Sequence, residues 1–198
     1  MRRSWFAWLL PLLLLAAPLL AAPLQAAEPG GEYTLTRQYG SVMFRVMQQD
    51  YLTLVGRFDV YSGTLSLDPA NLANSQLSAT VDLGSLSMAD SDVSETLVNS
   101  SVWFNSSLYP QATFVSSSAE VQGDNKVDFI GELTFLGISQ PWTFSVELFG
   151  GSSGELGGST VGIAGRGVIN RLDFGMDQYR NMAADEVEIE VNAKFNRN

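Results

Sequence analysis

Apolar and polar residues alternate along most of this chain. In the stretch from Glu186 to Phe195, "EVEIEVNAKF", every second residue is apolar. A period of two is typical of a β-strand with one buried face, because successive side chains point to opposite faces. The sequence therefore predicts a final strand whose apolar face covers either a packed core or a cavity.

The same alternation recurs in six earlier segments, "VMFRV", "GRFDV", "GTLSLDP", "QLSATVDL", "VDFIGELTF" and "PWTFSVEL". Turn-forming Gly, Asn, Asp and Ser residues separate most of them, and "LGISQ" between the last two predicts a hairpin loop. About eight or nine strands with short connections predict an all-β fold, either an antiparallel sandwich or a closed barrel. Buried parallel strands would be apolar on both faces, so the alternation excludes a parallel sheet.

Two stretches interrupt this rhythm. "ADSDVSETLVNSSVWF" has no period of two, and Asp92 and Glu95 within it have the spacing of a capping box. We therefore expect one short helical excursion over about residues 92–100. The Gly/Ser-rich stretch at 150–159 predicts a flexible hairpin tip.

The N-terminus has the features of a secretory signal peptide. Arg2 and Arg3 precede a long apolar run, and the small residues of "QAA" follow it. This order predicts a signal peptide over residues 1–26, a mature domain over residues 27–198 and no stable membrane insertion after cleavage. The alternative is an uncleaved anchor, since the run is long enough to span a bilayer, roughly 20 residues. Its three prolines and Ala-rich end favour cleavage.

Charge and composition exclude several functions. The chain has 11 basic and 21 acidic residues, for a net charge of -10, and loss of Arg2 and Arg3 makes the balance two units more negative. Such a surface repels phosphate backbones, so we expect no nucleic-acid partner. The chain has no histidine and no cysteine, which removes the commonest general base and metal ligand. We expect no enzyme activity and no cofactor.

The carboxylates do not form a convincing site. Asp90, Asp92 and Glu95 lack the other ligands of a calcium loop, and carboxylates suit a helix N-terminus. Asp173 and Asp177 form a pair that acid–base chemistry could use, but nothing nearby supplies a nucleophile. We interpret both groups as solvated surface and expect no metal site.

The apolar face of the strands is rich in aromatic residues. These are Phe44, Phe58, Phe129, Phe135, Trp142, Phe144 and Phe195. An eight-stranded barrel either fills with side chains or holds one small ligand. The periodicity alone leaves both alternatives open.

Six segments occur in the order found in a known family. They are "GSVMFRV", "VGRF", "SETLVNSSVWFNSSLYPQATF", "GELTFLGISQPWTFSV", "INRLDFGM" and "DEVEIEV", and they run from about Tyr33 to Phe195. In these the chain resembles the YceI-like family of exported proteins, which have a lipocalin-like barrel and are described as binding polyisoprenoid lipids. The resemblance implies a periplasmic carrier that holds an isoprenoid quinone or a polyprenyl chain inside an antiparallel barrel of about eight strands.

Strand parity and this resemblance together give a set of candidate ligand-binding residues. Gln48 is expected at the mouth of the cavity and Phe174 is chosen from the "RLDFGM" segment, while the others lie on the apolar parity of their strands: Phe44, Val46, Phe58, Leu133, Phe135, Trp142, Phe144, Ile189 and Val191. Many family members have a histidine where this chain has Gly40 and another where it has Gln48. A glutamine can hydrogen-bond to a ligand but cannot titrate.

Two readings from other classes stay open. The first is an exported stress or interaction protein with a filled, non-binding barrel, which would have no internal pocket. The second is an enzyme, which would need polar groups that converge inside the barrel. The sequence does not decide whether the protein forms a homodimer.

Overall fold

A computed structural model describes residues 30–152 and 154–198, so the predicted signal peptide lies outside the described residues. Eleven strands and one α-helix make up the described chain. The strands are β1 Gly31–Leu35, β2 Ser41–Gln48, β3 Leu52–Phe58, β4 Tyr61–Leu67, β5 Gln76–Asp82, β6 Leu86–Ser87, β7 Gln111–Gly123, β8 Lys126–Phe135, β9 Ile138–Gly150, β10 Thr160–Asn170 and β11 Ala183–Arg197. The helix is α1, Ser91–Asn99.

The sheet closes on itself as an antiparallel barrel. Its hydrogen-bonded order is β1-β4-β5-β7-β8-β9-β10-β11, and pairing of β1 with β11 completes the ring of eight strands. The strands β2, β3 and β6 continue this sheet from the first half of β11. The predicted all-β barrel with about eight strands is confirmed, and every strand pair is antiparallel as the alternation required.

Three of the eight strand paths are bent, which explains why eleven strands form an eight-stranded barrel. β1 and β2 are separated by a 3-10 turn at Arg37–Tyr39, and β5 and β6 by another at Leu83–Ser85. Only Asp59 and Val60 separate β3 from β4. At each bend, a strand of the closed ring (β1, β4 or β5) is followed or preceded in the chain by a strand of the β2–β3–β6 extension.

The two ends of the barrel differ. At one end, which we call the closed end, hydrogen bonds run around the whole ring and β1 joins β11. At the other end, the open end, β6 pairs with β3 and no ladder joins it to β7 among the described residues. The segment from 88 to 110, which contains α1, lies between these two strands in the sequence and supplies side chains to this end of the barrel.

Helix α1 confirms the predicted excursion, but its cap differs from the prediction. The Asp90 side chain accepts hydrogen bonds from the backbone amides of Asp92 and Val93, so Asp90 is the N-cap. The predicted capping box of Asp92 and Glu95 is therefore wrong by two residues. Asp92 lies instead in the first turn, where its negative charge complements the helix dipole.

Two hairpins follow the prediction. β8 and β9 are joined by Leu136 and Gly137, which have φ values of 52° and 74°. Positive φ at both central residues is the geometry of a type I′ turn, whose twist matches that of the flanking strands. The Gly/Ser-rich stretch joins β9 to β10 at the closed end.

Candidate ligand cavity

The open end of the barrel contains an internal cavity. Its volume is about 480 Å³, within the range of roughly 300–1,000 Å³ typical of small-molecule sites. Apolar side chains from the strands, from α1 and from the segment that follows α1 form nearly all of the lining. A cavity of this composition favours an apolar ligand, because polar groups would lose hydration without gaining partners.

Most of the candidate residues lie in the cavity wall. Ten of the eleven candidate residues line the cavity: Phe44, Val46, Gln48, Phe58, Leu133, Phe135, Trp142, Phe144, Ile189 and Val191. They come from β2, β3, β8, β9 and β11, so opposite sides of the barrel face one space. Whether a ligand contacts them stays a prediction.

Phe174 is the exception. It is 3% exposed but does not belong to the cavity lining. It lies in the 3-10 turn Arg171–Phe174, and its ring meets that of Phe135 edge to face at 5.6 Å between centroids. The prediction of Phe174 as a wall residue is therefore wrong, because the turn after β10 carries the side chain behind the wall. It supports Phe135 from there.

Glycines let the aromatic rings lie close against the barrel wall. A β-carbon at Gly165 would be 2.3 Å from the Phe144 ring, and one at Gly56 would be 2.3 Å from the Phe44 ring. Real β-carbons do not approach this closely, so each ring occupies the volume that a side chain would fill. The rings thus cover the wall while part of the barrel interior stays open.

Three rings form a fixed cluster on one side of the cavity. Trp142 and Phe144 stack at 5.3 Å, and Phe114 meets Trp142 edge to face at the same distance. The indole Nε1 of Trp142 donates a hydrogen bond of 2.9 Å to the Val168 carbonyl. A paired indole N–H lets Trp142 present its apolar face to the cavity without a buried, unsatisfied donor.

Sequence analysis missed two wall residues that follow α1. The Phe104 ring lies within 6.3 Å of the rings of Phe44, Phe58 and Phe135, measured between centroids. Trp103 lines the cavity and stacks on Tyr179 at 5.8 Å, which links this segment to the loop before β11. Neither residue lies in a segment with strand periodicity, so parity gave no signal. Only the unusual "VWF" cluster marked them.

Arg171 also lines the cavity and was not predicted. It is 2% exposed, and its guanidinium donates hydrogen bonds to the carbonyls of Met176, Gln178, Ala183 and Ala184. The Asp185 carboxylate lies 3.5 Å from Nη2. Since every donor has an acceptor, Arg171 acts as an anchor that holds the loop between β10 and β11 at the open end.

Polar groups form only a small part of the lining surface. The Gln48 amide makes no hydrogen bond to another protein group in the described part of the chain and is half-buried. The Tyr61 hydroxyl donates to the Arg37 carbonyl at 3.2 Å, and burial raises the pKa of this phenol above its usual value. Tyr61 is therefore neutral at physiological pH. Gln48 is one of several polar residues in the lining, which also include Ser62, Thr80, Asp92, Thr96 and Thr113.

Gly40 and Gln48, which stand where many proteins of the resembling family have histidine, differ in their surroundings. Gln48 lies at the open end, paired with Ala183 of β11. A β-carbon at Gly40 would lie 2.9 Å from the Asn192 carbonyl and 3.0 Å from the Tyr61 hydroxyl. A histidine at residue 40 would therefore need a shift of the backbone here.

The surface carboxylates do not converge. Asp90 caps α1, and the described residues contain no group of three or more potential metal ligands.

No helix within residues 30–152 and 154–198 combines the length and hydropathy needed to cross a bilayer.

Fold and cavity together define a closed antiparallel β-barrel with an apolar internal pocket. The sequence profile described as "YceI-like domain" matches residues 33–195, so the chain belongs to the YceI-like family. Protein YceI of Escherichia coli O157:H7 is 30% identical over 157 residues, which cover 79% of this chain and 81% of that protein.

Solved structures agree with the barrel. BcnA of Burkholderia cenocepacia is 28% identical and superposes with a TM-score of 0.73, covering 81% of this chain and 98% of that one. A domain of Saccharophagus degradans, described as polyisoprenoid binding, has a TM-score of 0.65 over 84% of this chain and 98% of its own. Because it is only 16% identical, it supports the fold alone.

Proposed function

We propose that this protein is a periplasmic carrier that holds the isoprenoid chain of a quinone or polyprenyl lipid inside its barrel. In this proposal residues 1–26 are the signal peptide and residues 27–198 the mature carrier. The observation that carries it is the apolar cavity of about 480 Å³ at the open end. The resemblance to the YceI-like family implies an isoprenoid ligand, and the Saccharophagus domain, which shares the fold, is described as polyisoprenoid binding.

The energetics of such binding are favourable. Burial of apolar carbon contributes about 0.8 kcal/mol per methylene, so one isoprene unit contributes roughly 3–4 kcal/mol. Three buried units exceed the roughly 8 kcal/mol of micromolar affinity and leave a margin for lost chain freedom. The carrier therefore needs no charged contact, and Gln48 supplies one hydrogen bond to the headgroup at the mouth.

The alternative of a filled, non-binding barrel gains less support. A filled barrel needs side chains that occupy the whole interior. Here the rings of Phe44 and Phe144 pack against the wall, over Gly56 and Gly165. The space left between opposite walls is larger than the voids of an ordinary packed core.

Blocking the cavity tests the proposal. Val46→Trp places an indole inside the cavity, while Val55→Trp places one on the outer face of β3, where Val55 is 43% exposed. We expect Val46→Trp to weaken binding of a short-chain ubiquinone at least about tenfold and Val55→Trp to change it less than about twofold. Titration calorimetry measures both, after circular dichroism has verified the fold.

Val191→Trp blocks the same cavity from β11 and serves if Val46→Trp does not fold. A folded blocking variant that binds the quinone as tightly as the parent protein would contradict the proposal and favour the filled barrel.

A further inference from the structure

Part of the cavity wall does not belong to the sheet. Residues 88–109, which we call the α1 segment, lie in the connection from β6 to β7, and no ladder joins these two strands among the described residues. The lining contributed by this segment includes Asp92, Val93, Thr96, Leu97, Trp103 and Phe104. The α1 segment thus supplies a stretch of wall that the strands leave out.

The α1 segment is hydrogen-bonded to itself. The Phe104 amide donates to the Leu97 carbonyl at 3.0 Å, so the turns after α1 fold back on the helix. At the start of the segment, the Met88 amide donates to Ser94 Oγ at 2.9 Å. In the part of the chain that the structure describes, no hydrogen bond or ion pair joins residues 88–109 to another segment. The segment can therefore move as one unit without breaking a hydrogen bond to the barrel.

Apolar and ring contacts hold the α1 segment against the barrel. The Phe104 ring packs on three rings of the barrel wall, and the Trp103 ring stacks on Tyr179 at 5.8 Å between centroids. Apolar contacts are not directional, so an apolar ligand can replace them during a movement. The strands, in contrast, are held by continuous hydrogen-bonded ladders. The α1 segment is therefore the part of the cavity wall that moves at the lowest cost in free energy.

The surroundings of the α1 segment are fixed. Tyr179 lies in the loop before β11, which Arg171 holds through hydrogen bonds to the Gln178 and Ala183 carbonyls. After the segment, the Pro110 carbonyl accepts a hydrogen bond of 2.9 Å from the Leu83 amide. Before it, β6 pairs with β3. Movement is thus confined to the residues between these two attachments.

We infer that the α1 segment is a lid, which swings away from the barrel as a unit and admits the ligand between β6 and β7. The stack of Trp103 on Tyr179 is the latch that keeps this lid closed. The inference rests on the proposed function, because it assigns the route by which the carried lipid enters and leaves the cavity.

Loss of the latch tests the lid through the kinetics of binding. Tyr179→Ala removes the stack and leaves the cavity lining intact, because Tyr179 does not line the cavity. We expect the association and dissociation rate constants of a short-chain ubiquinone to rise by the same factor, about two- to tenfold, as loss of one ring contact gives. The Kd should then change less than about 1.5-fold, since a lid gates entry and exit alike. Stopped-flow quenching of the Trp103 and Trp142 fluorescence measures both rate constants.

Tyr51→Ala is the matched control. Tyr51 lies in the turn between β2 and β3 at the same end of the barrel, is 75% exposed and does not line the cavity. Both rate constants should stay within about 1.5-fold of the parent values, as for an ordinary surface substitution.

A thiol reports opening of the lid without any ligand, because the chain has no cysteine of its own. Leu86 of β6 is 8% exposed, does not line the cavity and lies on the strand that α1 packs against. We expect the thiol of Leu86→Cys to react with a water-soluble disulfide reagent about two- to tenfold faster when Tyr179→Ala is added, and less than about 1.5-fold faster when Tyr51→Ala is added. Val98→Cys, on the packed face of α1, replaces Leu86→Cys if that variant does not fold.

The outcomes separate the lid from the carrier function. If Tyr179→Ala leaves either the two rate constants or the thiol reactivity at the parent values, the lid is overturned while the carrier function stands. A rise in the dissociation rate constant alone also overturns it, because the Tyr179 ring would then contribute to affinity and not to opening. If the parent protein binds no isoprenoid quinone, the proposed function fails, and the thiol reactivity alone decides whether the α1 segment opens.

Discussion

At the scale of single residues, glycine determines how much of the barrel interior stays open. Gly56, Gly165 and Gly167 each lie under an aromatic ring that would clash with a β-carbon at 2.2–2.3 Å. Any larger residue at these positions would push Phe44, Phe144 or Trp142 toward the centre. The open volume of the cavity therefore depends on residues that have no side chain of their own.

Gly165→Ala tests this packing. The new methyl group displaces the Phe144 ring, so we expect a loss of stability of about 1–3 kcal/mol, the usual cost of overpacking. Gly162→Ala on the same strand is the matched control, since its β-carbon would meet nothing closer than Phe149 Cβ at 3.6 Å. Urea unfolding measures both variants. Equal stability of the two variants would show that the ring does not depend on Gly165.

The alternation of apolar and polar residues identified only part of the cavity lining. Parity identified Phe44 and Phe144 as inward-facing, but it gave Phe129 the same assignment although Phe129 lies in the filled closed end. Parity reports which face of a strand is buried and not how far along the barrel the filling ends. Phe104 and Arg171 were missed because they lie outside the alternating segments.

At the scale of elements, the bent strands and α1 create the open end. The number of strand paths was predictable because each path keeps its period of two. The bends were not, because 3-10 turns such as Leu83–Ser85 arise from packing and leave little trace in the hydrophobic pattern. The gap between β6 and β7 follows from these bends and was likewise invisible in the sequence.

The cap of α1 offers a test at this scale. Asp90→Ala removes an acceptor for two backbone amides, and we expect a loss of about 1 kcal/mol of stability together with faster hydrogen exchange in α1. Glu95→Ala is the control, because Glu95 does not cap the helix in the structure, and we expect a change within about 0.5 kcal/mol. Should Glu95→Ala cost as much as Asp90→Ala, the capping box inferred from the sequence would be reinstated.

At the scale of the whole molecule, the barrel combines a filled half with a hollow half. The buried cluster at the closed end, around Phe129 and Leu148, supplies apolar burial that stabilises the fold. The open end can therefore contain a cavity, which Gln48 and residues of α1 line. This division explains how one antiparallel barrel can be both a stable domain and a container.

The most direct test of the carrier function is native mass spectrometry of the mature protein purified gently from its own exported fraction. The account predicts one apolar lipid per chain, with fragmentation that shows successive losses of isoprene units. Protein that carries no lipid under these conditions, or that carries only lipids without isoprene fragments, would contradict it.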